Sequence, residues 1–506
     1  MSKPLKIGWS TKEFSTNEPT CMHGQFHVRI CEGILDPVTV TALALDNGDE
    51  QMVWISCDVE HIADITSKLI REKIKKLVPE VNAEKVVMNA THTHCTTDIN
   101  TTGMARYEVD FPVDSSIKLM IPEKAQEEFA EAAAQAVAEA WNTRKEGGVA
   151  WGYGYAVVSY SRKTWYFDDL SKRPGQGGKI GMAVNGHACM YGNTNDPQFS
   201  HYEAGADHFI NLLYTFDADG ELTGAVMNVP CPSQNSESIS KLTGDYWNDV
   251  RVRLKEKYGD IHILPQCAPA GDLSPHILHY KAAQVRRFQL KYGTQPEAYR
   301  DEYMRKDIAE RICWVFDEVL DWAKKDIRTN VKLQNSLETI NLERRQGTQA
   351  EYDNEKITYE SMMKEDFQKS GTPREKFHHD SILAARRNRS LNFMRRFELA
   401  QRGEPFVTTL HVIAIDDIAF VTSPFELYMD FMHRIQARSP FMQTFNVQLA
   451  DNDWEPDCGY LATQRGVDGG GYSSSRYCNA VSPDGGQQLV EATLTRLTEL
   501  FGNINK

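Results

Sequence analysis

The chain has 506 residues, of which 41% are hydrophobic and 25% charged. This composition is typical of a globular protein and excludes a disordered or fibrous one. The formal net charge of −14 argues against binding to nucleic acid or to an anionic membrane. No apolar run of about 18 residues predicts a membrane-spanning helix. Because the ten cysteines show no framework spacing and the N-terminus lacks an apolar signal segment, we expect a cytoplasmic protein with reduced thiols.

The first 280 residues alternate short apolar runs with helical stretches. A hairpin is predicted where two apolar runs, 38–45 and 51–56, flank the turn-forming pair Asn47-Gly48. The proline- and glycine-rich stretch 174–178 is predicted to be a loop. Further helices and strands are predicted from periodicity, the helices over 62–77 and 124–141 and the strands over 212–216 and 222–228.

Residues 281–400 differ from the rest of the chain, since charges become dense, glycine is rare and helical spacing dominates. From residue 408 the strand pattern resumes, and a helix over 486–501 follows. We therefore predict one domain of mixed α/β (α+β) class over 1–506. Its mixed-sheet core, formed by 1–280 and 401–506, would carry helices on its faces, with a mostly helical insertion over 281–400. The sequence leaves open whether this insertion covers the core or forms a solvated subdomain without a chemical role.

The segment Thr91-His92-Thr93-His94 follows an apolar run that is predicted to be a strand. Period-two spacing places both histidines on the same side of the backbone, at the strand end where open α/β sheets usually form their sites. Two imidazoles there can bind a metal, or divide the roles of ligand and proton carrier. Taken alone, the pair is as well explained by polar loop residues.

Four other segments place reactive side chains beside strand ends or tight turns. Cys231 lies between two prolines that fix its direction, so it is a candidate ligand or nucleophile, although buried structural cysteines are commoner. Ser274, in a Gly-Asp-Leu-Ser-Pro stretch, either faces a cleft or belongs to a plain turn. Glu426 follows a strand, where a carboxylate can bind a metal or begin a helix. Tyr460 and Tyr472 lie in glycine-rich loops that could reach a site.

In this order the motifs resemble those of the neutral/alkaline (non-lysosomal) ceramidase family. That family carries Thr-His-Thr-His after a strand, a later Gly-Asp-x-Ser-Pro, a Pro-Gly-Glu turn, and a Gly-Tyr loop followed by a second tyrosine. The chain matches at 91–94, at 271–275, at 424–426 with Phe425 in place of glycine, and at the two tyrosines 460 and 472. The resemblance covers about 20–280 and 405–500.

The resemblance implies a ceramidase-like fold and a zinc-dependent amidase. A metal polarises the carbonyl and activates water, while nearby donors stabilise the tetrahedral charge. It also implies a role for each of seven residues: zinc ligands at His92, Glu426 and Tyr460, a proton-transfer or orienting group at His94, the serine of amide cleavage at Ser274, a site arginine at Arg162, and an oxyanion donor at Tyr472.

One departure from the family pattern affects the metal. The family carries a second metal histidine in an Asn-x-x-Cys-His pattern, whereas this chain has Pro232 after Cys231. Either Cys231 fills the vacant ligand position, or it is a nucleophile activated by His94 or the metal, or no zinc binds as in ceramidases.

Three functional hypotheses follow. The first is a metal-dependent hydrolase, with Zn²⁺ as the expected cofactor, that cleaves an amide, ester or glycosidic bond in a small polar substrate rather than a lipid. The second is a metal-free Cys/Ser-His hydrolase of carbohydrates, with Trp165, Tyr166 and Trp454 available to stack on sugar rings. The third is a non-catalytic ligand-binding protein. We expect a small-molecule partner, no nucleic acid and no membrane insertion, and the sequence leaves a homo-oligomer open.

Overall fold

The computed structural model describes residues 4–100, 113–174, 186–293, 300–455 and 458–504. Of the predicted loop at 174–178, residues 175–178 lie outside these ranges. The strands are β1 Lys6–Glu13, β2 Cys21–Met22, β3 Arg29–Ile30, β4 Thr39–Asp46, β5 Gln51–Cys57, β6 Val87–Ala90, β7 Lys145–Tyr155, β8 Tyr160–Ser161, β9 Lys163–Tyr166, β10 Ala188–Met190, β11 Phe199–Tyr202, β12 Phe209–Asp217, β13 Leu222–Val229, β14 His262–Cys267, β15 Leu273–Ser274, β16 Leu333–Leu342, β17 Phe406–Ile415, β18 Ile418–Thr422, β19 Glu426–Leu427, β20 Gln443–Val447 and β21 Tyr460–Leu461. The helices are α1 Asp64–Leu77, α2 Pro122–Asn142, α3 Tyr246–Tyr258, α4 Lys281–Tyr292, α5 Arg300–Ala323, α6 Gln349–Met362, α7 Pro373–Gln401, α8 Met429–Arg438, α9 Gln464–Gly469 and α10 Pro483–Ile504.

The main sheet has the strand order β14-β13-β12-β7-β1-β4-β5-β6 within the described residues. Most neighbours are antiparallel, but β5 pairs with β6 and β13 pairs with β14 in parallel, so the predicted mixed sheet is confirmed. The predicted hairpin is also confirmed, with Gly48 at φ 77° in the turn between β4 and β5. Although β14 and β6 are at opposite ends of this strand order, the side chains of Ser56 in β5 and Asn89 in β6 both donate to the carbonyl of Pro265 in β14. Strand β14 therefore lies against β5 and β6.

A second sheet, β16-β17-β18-β20, shares an apolar core with the main sheet. Trp54 and Leu213 from the main sheet and Phe420 and Phe445 from the second are fully buried there. Helices α1 and α2 cover one part of the main sheet's other face and α3 and α5 cover another, while α8 and α10 cover the second sheet. The layers therefore run helix, sheet, sheet, helix, with apolar side chains removed from water at each interface. No helix in the described ranges combines the length and hydrophobicity that crossing a bilayer requires.

The segment predicted as a helical insertion is helical in α4 to α7 but also contains a long strand. Strand β16 pairs with β17 along ten residues and forms an edge of the second sheet. Its polar alternation is typical of an edge strand, because only one face of the strand meets the core. Part of 281–400 thus belongs to the sheet core, which the sequence analysis did not predict.

Candidate functional site

The candidate site lies where β5 and β6, two neighbouring parallel strands, reach their carboxyl ends. Such ends are the usual position for sites in sheets of this kind. A cavity of about 610 Å³ opens there. Several segments supply its walls, namely Glu60 after β5, His92 and His94 after β6, Gln234 and Glu237 after β13, Glu426 in β19 and Tyr460 in β21.

The ring of His92 is fixed by the loop that follows β5. His92 adopts φ 66°, a left-handed conformation uncommon for residues other than glycine, and its backbone N–H donates to the carbonyl of Val59. Its Nδ1 lies 3.0 Å from the carbonyl oxygen of Glu60. A proton on Nδ1 satisfies that carbonyl and leaves the lone pair on Nε2, the arrangement that metal-binding histidines commonly use. His92 therefore presents a ligand atom to the cavity.

Glu426 lies opposite this nitrogen, with Oε2 3.4 Å from His92 Nε2. Because Glu426 and Tyr460 are register partners in the short parallel pair of β19 and β21, their side chains reach the cavity together. The guanidinium of Arg162 lies 3.7 Å from Glu426 Oε2 and 5.2 Å from the centre of the Tyr460 ring. The ring of Tyr472 meets that of Tyr460 edge to face at 5.8 Å. Six sequence-predicted residues thus line one cavity: His92, His94, Arg162, Glu426, Tyr460 and Tyr472.

The electrostatics favour a positive charge between the carboxylates and the imidazoles. Burial would lower the pKa of His92, but the neighbouring Glu426 carboxylate raises it to about 9. Burial would raise the pKa of Glu426, but its contact with His92 and the nearby Arg162 hold it below its usual range. Buried carboxylates kept ionised beside imidazole nitrogens are a suitable environment for a divalent cation.

The residues present fit a zinc ion in chemical type. Ligand atoms of Glu60, His92 and His94 all lie within 4.8 Å of one another, and Glu426 faces the same His92 nitrogen. Imidazole nitrogen with carboxylate and phenol oxygen is a donor set that zinc accepts. The structure therefore offers a candidate metal centre at the position that the sequence motifs indicated.

His94 lies beside this centre, held by two residues that sequence reasoning missed. Its Nε2 is 3.3 Å from His92 Nε2 and 2.9 Å from the side-chain amide of Gln234, and its Nδ1 is 3.3 Å from Glu237 Oε2. Both partners come from the loop after β13, in which Pro232 replaces the family's histidine. That loop therefore still reaches the site, but it contacts His94 through an amide and a carboxylate.

Two predicted residues are not brought to the cavity. Cys231 is fully buried in the apolar core, where its thiol donates to the carbonyl of Val158, and burial raises the pKa of the thiol well above its usual value. The expectation that Cys231 acts as ligand or nucleophile is therefore not met, because the thiol is enclosed and held in its protonated form. Ser274 is also fully buried and is not among the residues that line the cavity, and its hydroxyl accepts from the backbone N–H of His276.

Further lining residues come from the segment before β3 and from helix α7. His23, Gln25 and Phe26 form one wall, and Arg389 of α7 with Tyr477 faces them.

A sequence signal did exist for Glu60 and His61, because they follow a strand that lies next to the one before His92. Because parallel neighbours end at the same edge of a sheet, polar residues that follow both strands lie near each other.

Comparisons with known proteins give the fold. No protein-family model matches the sequence, and no curated protein sequence matches it. The structure is similar to that of neutral ceramidase from Pseudomonas aeruginosa, with a TM-score of 0.68 and 15% identity, covering 99% of this chain and 75% of that one. It is also similar to a ceramidase complexed with C2, with a TM-score of 0.64 and 14% identity, covering 99% of this chain and 76% of that one. The chain therefore has the ceramidase fold that its motifs predicted.

Proposed function

We propose that this protein is a metal-dependent hydrolase that acts on a small polar substrate at a carbonyl or glycosidic centre. The observation that carries the proposal is the convergence of His92, Glu426 and Tyr460 on one cavity with His94 and Tyr472. The two similar solved structures described above are ceramidases, which supports hydrolysis as the reaction class. The second hypothesis, a metal-free Cys/Ser-His hydrolase of carbohydrates, is less well supported because both of its candidate nucleophiles, Cys231 and Ser274, are fully buried.

His92, Glu426 and Tyr460 would hold the zinc ion, which when bound supplies Lewis-acid polarisation of the substrate oxygen. Arg162 would support the same centre through Glu426. Its guanidinium lies 3.7 Å from Glu426 and donates to the carbonyl of Gly271 over 2.7 Å, so it fixes the orientation of the carboxylate. A carboxylate held in this way loses little conformational freedom on binding.

His94 is placed to move a proton at Nε2. Glu237 faces the opposite ring nitrogen at 3.3 Å and orients the imidazole, so Nε2 can take a proton from water and return it to the leaving group. The phenol of Tyr472 donates a hydrogen bond to the oxygen that gains negative charge. Burial raises the pKa of this phenol well above its usual value, which keeps the donor proton in place.

The cavity wall supports a polar substrate. Helix α7 contributes Asn388, Arg389 and Asn392 to the lining, and Gln25 and Gln234 add two more side-chain amides. Within the described part of the chain, Nε and Nη1 of Arg389 are buried and donate to no hydrogen-bond partner. Donors left without partners in a cavity favour a ligand rich in oxygen atoms over a hydrocarbon chain.

The test uses zinc-loaded and chelator-treated protein on a panel of polar amides, acetyl esters and aryl glycosides, with a short-chain ceramide as the lipid comparison. We expect hydrolysis of a polar substrate to fall by more than about 100-fold on chelation, because several kcal/mol of Lewis-acid stabilisation is removed. Zinc should restore the activity. His92→Ala should show the same loss of activity while the protein remains folded.

His201→Ala is the matched control, since His201 is exposed outside the cavity and its loss should leave both zinc content and turnover unchanged. Full activity of His92→Ala without bound metal would contradict the metal-dependent reaction. Cleavage of the ceramide in preference to every polar substrate would contradict the proposed substrate class.

A further inference from the structure

We infer that Glu60 supplies the metal ligand that takes the place of the family's second histidine, and that His23 and His61 are positioning residues for its carboxylate. This inference rests on the proposed metal centre and adds to it the residue that compensates for Pro232. It also gives a role to a histidine pair that the proposed reaction does not use.

The backbone places Glu60 at the centre. Register pairing of Cys57 with Ala90 sets the ends of β5 and β6 side by side, and the backbone N–H of His92 donates to Val59. The carbonyl of Glu60 lies 3.0 Å from His92 Nδ1, so Glu60 already orients the His92 ring. The Glu60 carboxylate, which lines the same cavity, has an oxygen within 4.8 Å of ligand atoms of both His92 and His94.

The contacts around the carboxylate leave one oxygen for a metal. His23 Nδ1 lies 2.7 Å from Glu60 Oε2, and His61 Nδ1 contacts the same oxygen. Both of these contacts are made to the same oxygen, Oε2. Metal-binding carboxylates are commonly held in this manner, with one oxygen fixed by outer groups while the other binds.

The tautomer of His61 agrees with a positioning role. The side-chain oxygen of Asn100 accepts from the backbone N–H of Ala63 over 2.9 Å, so the amide nitrogen must face the other way. That nitrogen lies 3.3 Å from His61 Nε2. His61 therefore accepts at Nε2 and carries its proton on Nδ1, the atom that donates to Glu60. With its proton on Nδ1, His61 is better suited to donate to the Glu60 carboxylate than to bind a metal as a further ligand.

The charge of the site agrees with the replacement of the family's second histidine by Glu60. A histidine ligand is neutral, whereas Glu60 brings a second carboxylate beside Glu426, so together they balance the charge of a divalent cation. Glu60 is only 17% exposed at its side chain, and an anion at this depth requires nearby cations or donors. His23 and His61 contact the carboxylate from one side, and the metal would supply positive charge from the other.

The test measures zinc stoichiometry by elemental analysis and the zinc Kd by chelator competition, together with the visible spectrum of the Co²⁺-substituted protein. Wild-type protein should bind one ion. Glu60→Gln should raise the Kd by more than about 100-fold and shift the cobalt bands, because a ligand is lost. His23→Ala and His61→Ala should raise the Kd by about 10-fold to 100-fold while one ion still binds.

His378→Ala is the control and should leave the Kd unchanged. His378 is exposed on α7 and belongs neither to the His23 and His61 pair nor to the His92 and His94 pair. Loss of zinc in His92→Ala but not in Glu60→Gln would overturn this inference alone, whereas retention of zinc in His92→Ala would overturn the proposed metal centre. Two ions in wild-type protein and one in His61→Ala would overturn the positioning role in favour of a separate site. If Glu60→Gln does not fold, an anomalous-scattering map of zinc-loaded wild-type crystals decides whether a Glu60 oxygen contacts the ion.

Discussion

Gly24 controls the space that His94 occupies. It adopts φ 99°, and a Cβ added to it would lie 2.5 Å from His94 Cγ, which no side-chain packing accommodates. We expect Gly24→Ala to displace the imidazole and to lower kcat/KM by at least about 10-fold, since displacements near 1 Å in a reacting group cost up to about 100-fold. The measurement is kcat/KM on the best substrate, with the zinc Kd measured alongside.

Gly220→Ala separates this displacement from backbone strain. Gly220 has φ 84°, and an added Cβ there meets no atom within 4 Å, so alanine at this turn bears only the strain of the left-handed conformation, about 1–2 kcal/mol. Both variants should therefore bear this backbone strain, while only Gly24→Ala should lose activity. Equal kcat/KM in the two variants would show that His94 tolerates the displacement.

A site residue could be predicted from the sequence when its neighbours along the chain carried the signal. His92 and His94 share one strand end, and Glu426 and Tyr460 lie in short motifs, so each carries its signal in a few neighbouring residues. The contacts of Gln234 and Glu237 with His94 join residues about 140 positions apart and depend on how the loop after β13 folds. For Cys231 the local signal was ambiguous. The two prolines beside it were compatible with a position in a site or in the core, and only the packing of the folded chain distinguishes these two positions.

At the scale of elements, the buried Lys163 attaches β9 to the segment that carries Tyr472. Lys163 Nζ lies 2.6 Å from Glu203, with both side chains 1% exposed, and donates to the carbonyl of Gly466 and the hydroxyl of Ser474. Lys163→Met would leave Glu203 buried without its cation, so we expect the free energy of unfolding to fall by about 3–5 kcal/mol. Denaturant unfolding of the variant and wild type measures this change.

Lys75→Met is the matched control for the same substitution on the surface. Lys75 pairs with Glu84, but both side chains are about half exposed, at 53% and 54%. Exposed pairs contribute about 0–1 kcal/mol, so this variant should unfold close to wild type. A loss in Lys163→Met no larger than in Lys75→Met would show that the Lys163 pair does not stabilise the fold.

The elements themselves were predictable to the extent that one face of each was buried in a regular pattern. The hairpin of β4 and β5 combines a turn sequence with apolar runs, and α2 has a continuous alanine-rich face, so local signals and packing agree. Strand β16 lies between charged helices and buries few of its residues, so its pattern was obscured. Its strand state depends on ten register pairs with β17, which are contacts distant in sequence.

At the scale of the whole molecule, a buried histidine links the two sheets. His411 in β17 hydrogen-bonds through Nε2 to the side-chain oxygen of Asn335 in β16, and the amide nitrogen of Asn335 donates to the backbone of Gln51 in β5 over 3.0 Å. Burial, with the nearby charges of Arg71 and Lys85, lowers the pKa of His411 to about 3. The sheet interface therefore requires a neutral imidazole.

The sign of the pH dependence follows from this lowered pKa. The unfolded chain binds the proton near pH 6.5, whereas the folded chain resists it down to about pH 3, so stability is complete above pH 6.5 and decreases as the pH falls. At pH 5 the loss from His411 amounts to about 2 kcal/mol relative to pH 8. We expect His411→Gln, whose amide can still donate to Asn335, to lose this part of the acid sensitivity.

The measurement is the difference in unfolding midpoint between wild type and His411→Gln at several pH values, in chelator so that metal binding does not contribute. His433→Gln provides a control of opposite sign. In the wild-type protein, the hydrogen bond between His433 and Asp207 raises the pKa of His433. The stability that this pair contributes is therefore present at low pH and is lost as the pH rises. If the difference between wild type and His411→Gln stays constant from pH 8 to pH 5, the junction between the sheets accepts a charged imidazole and acid instability arises elsewhere.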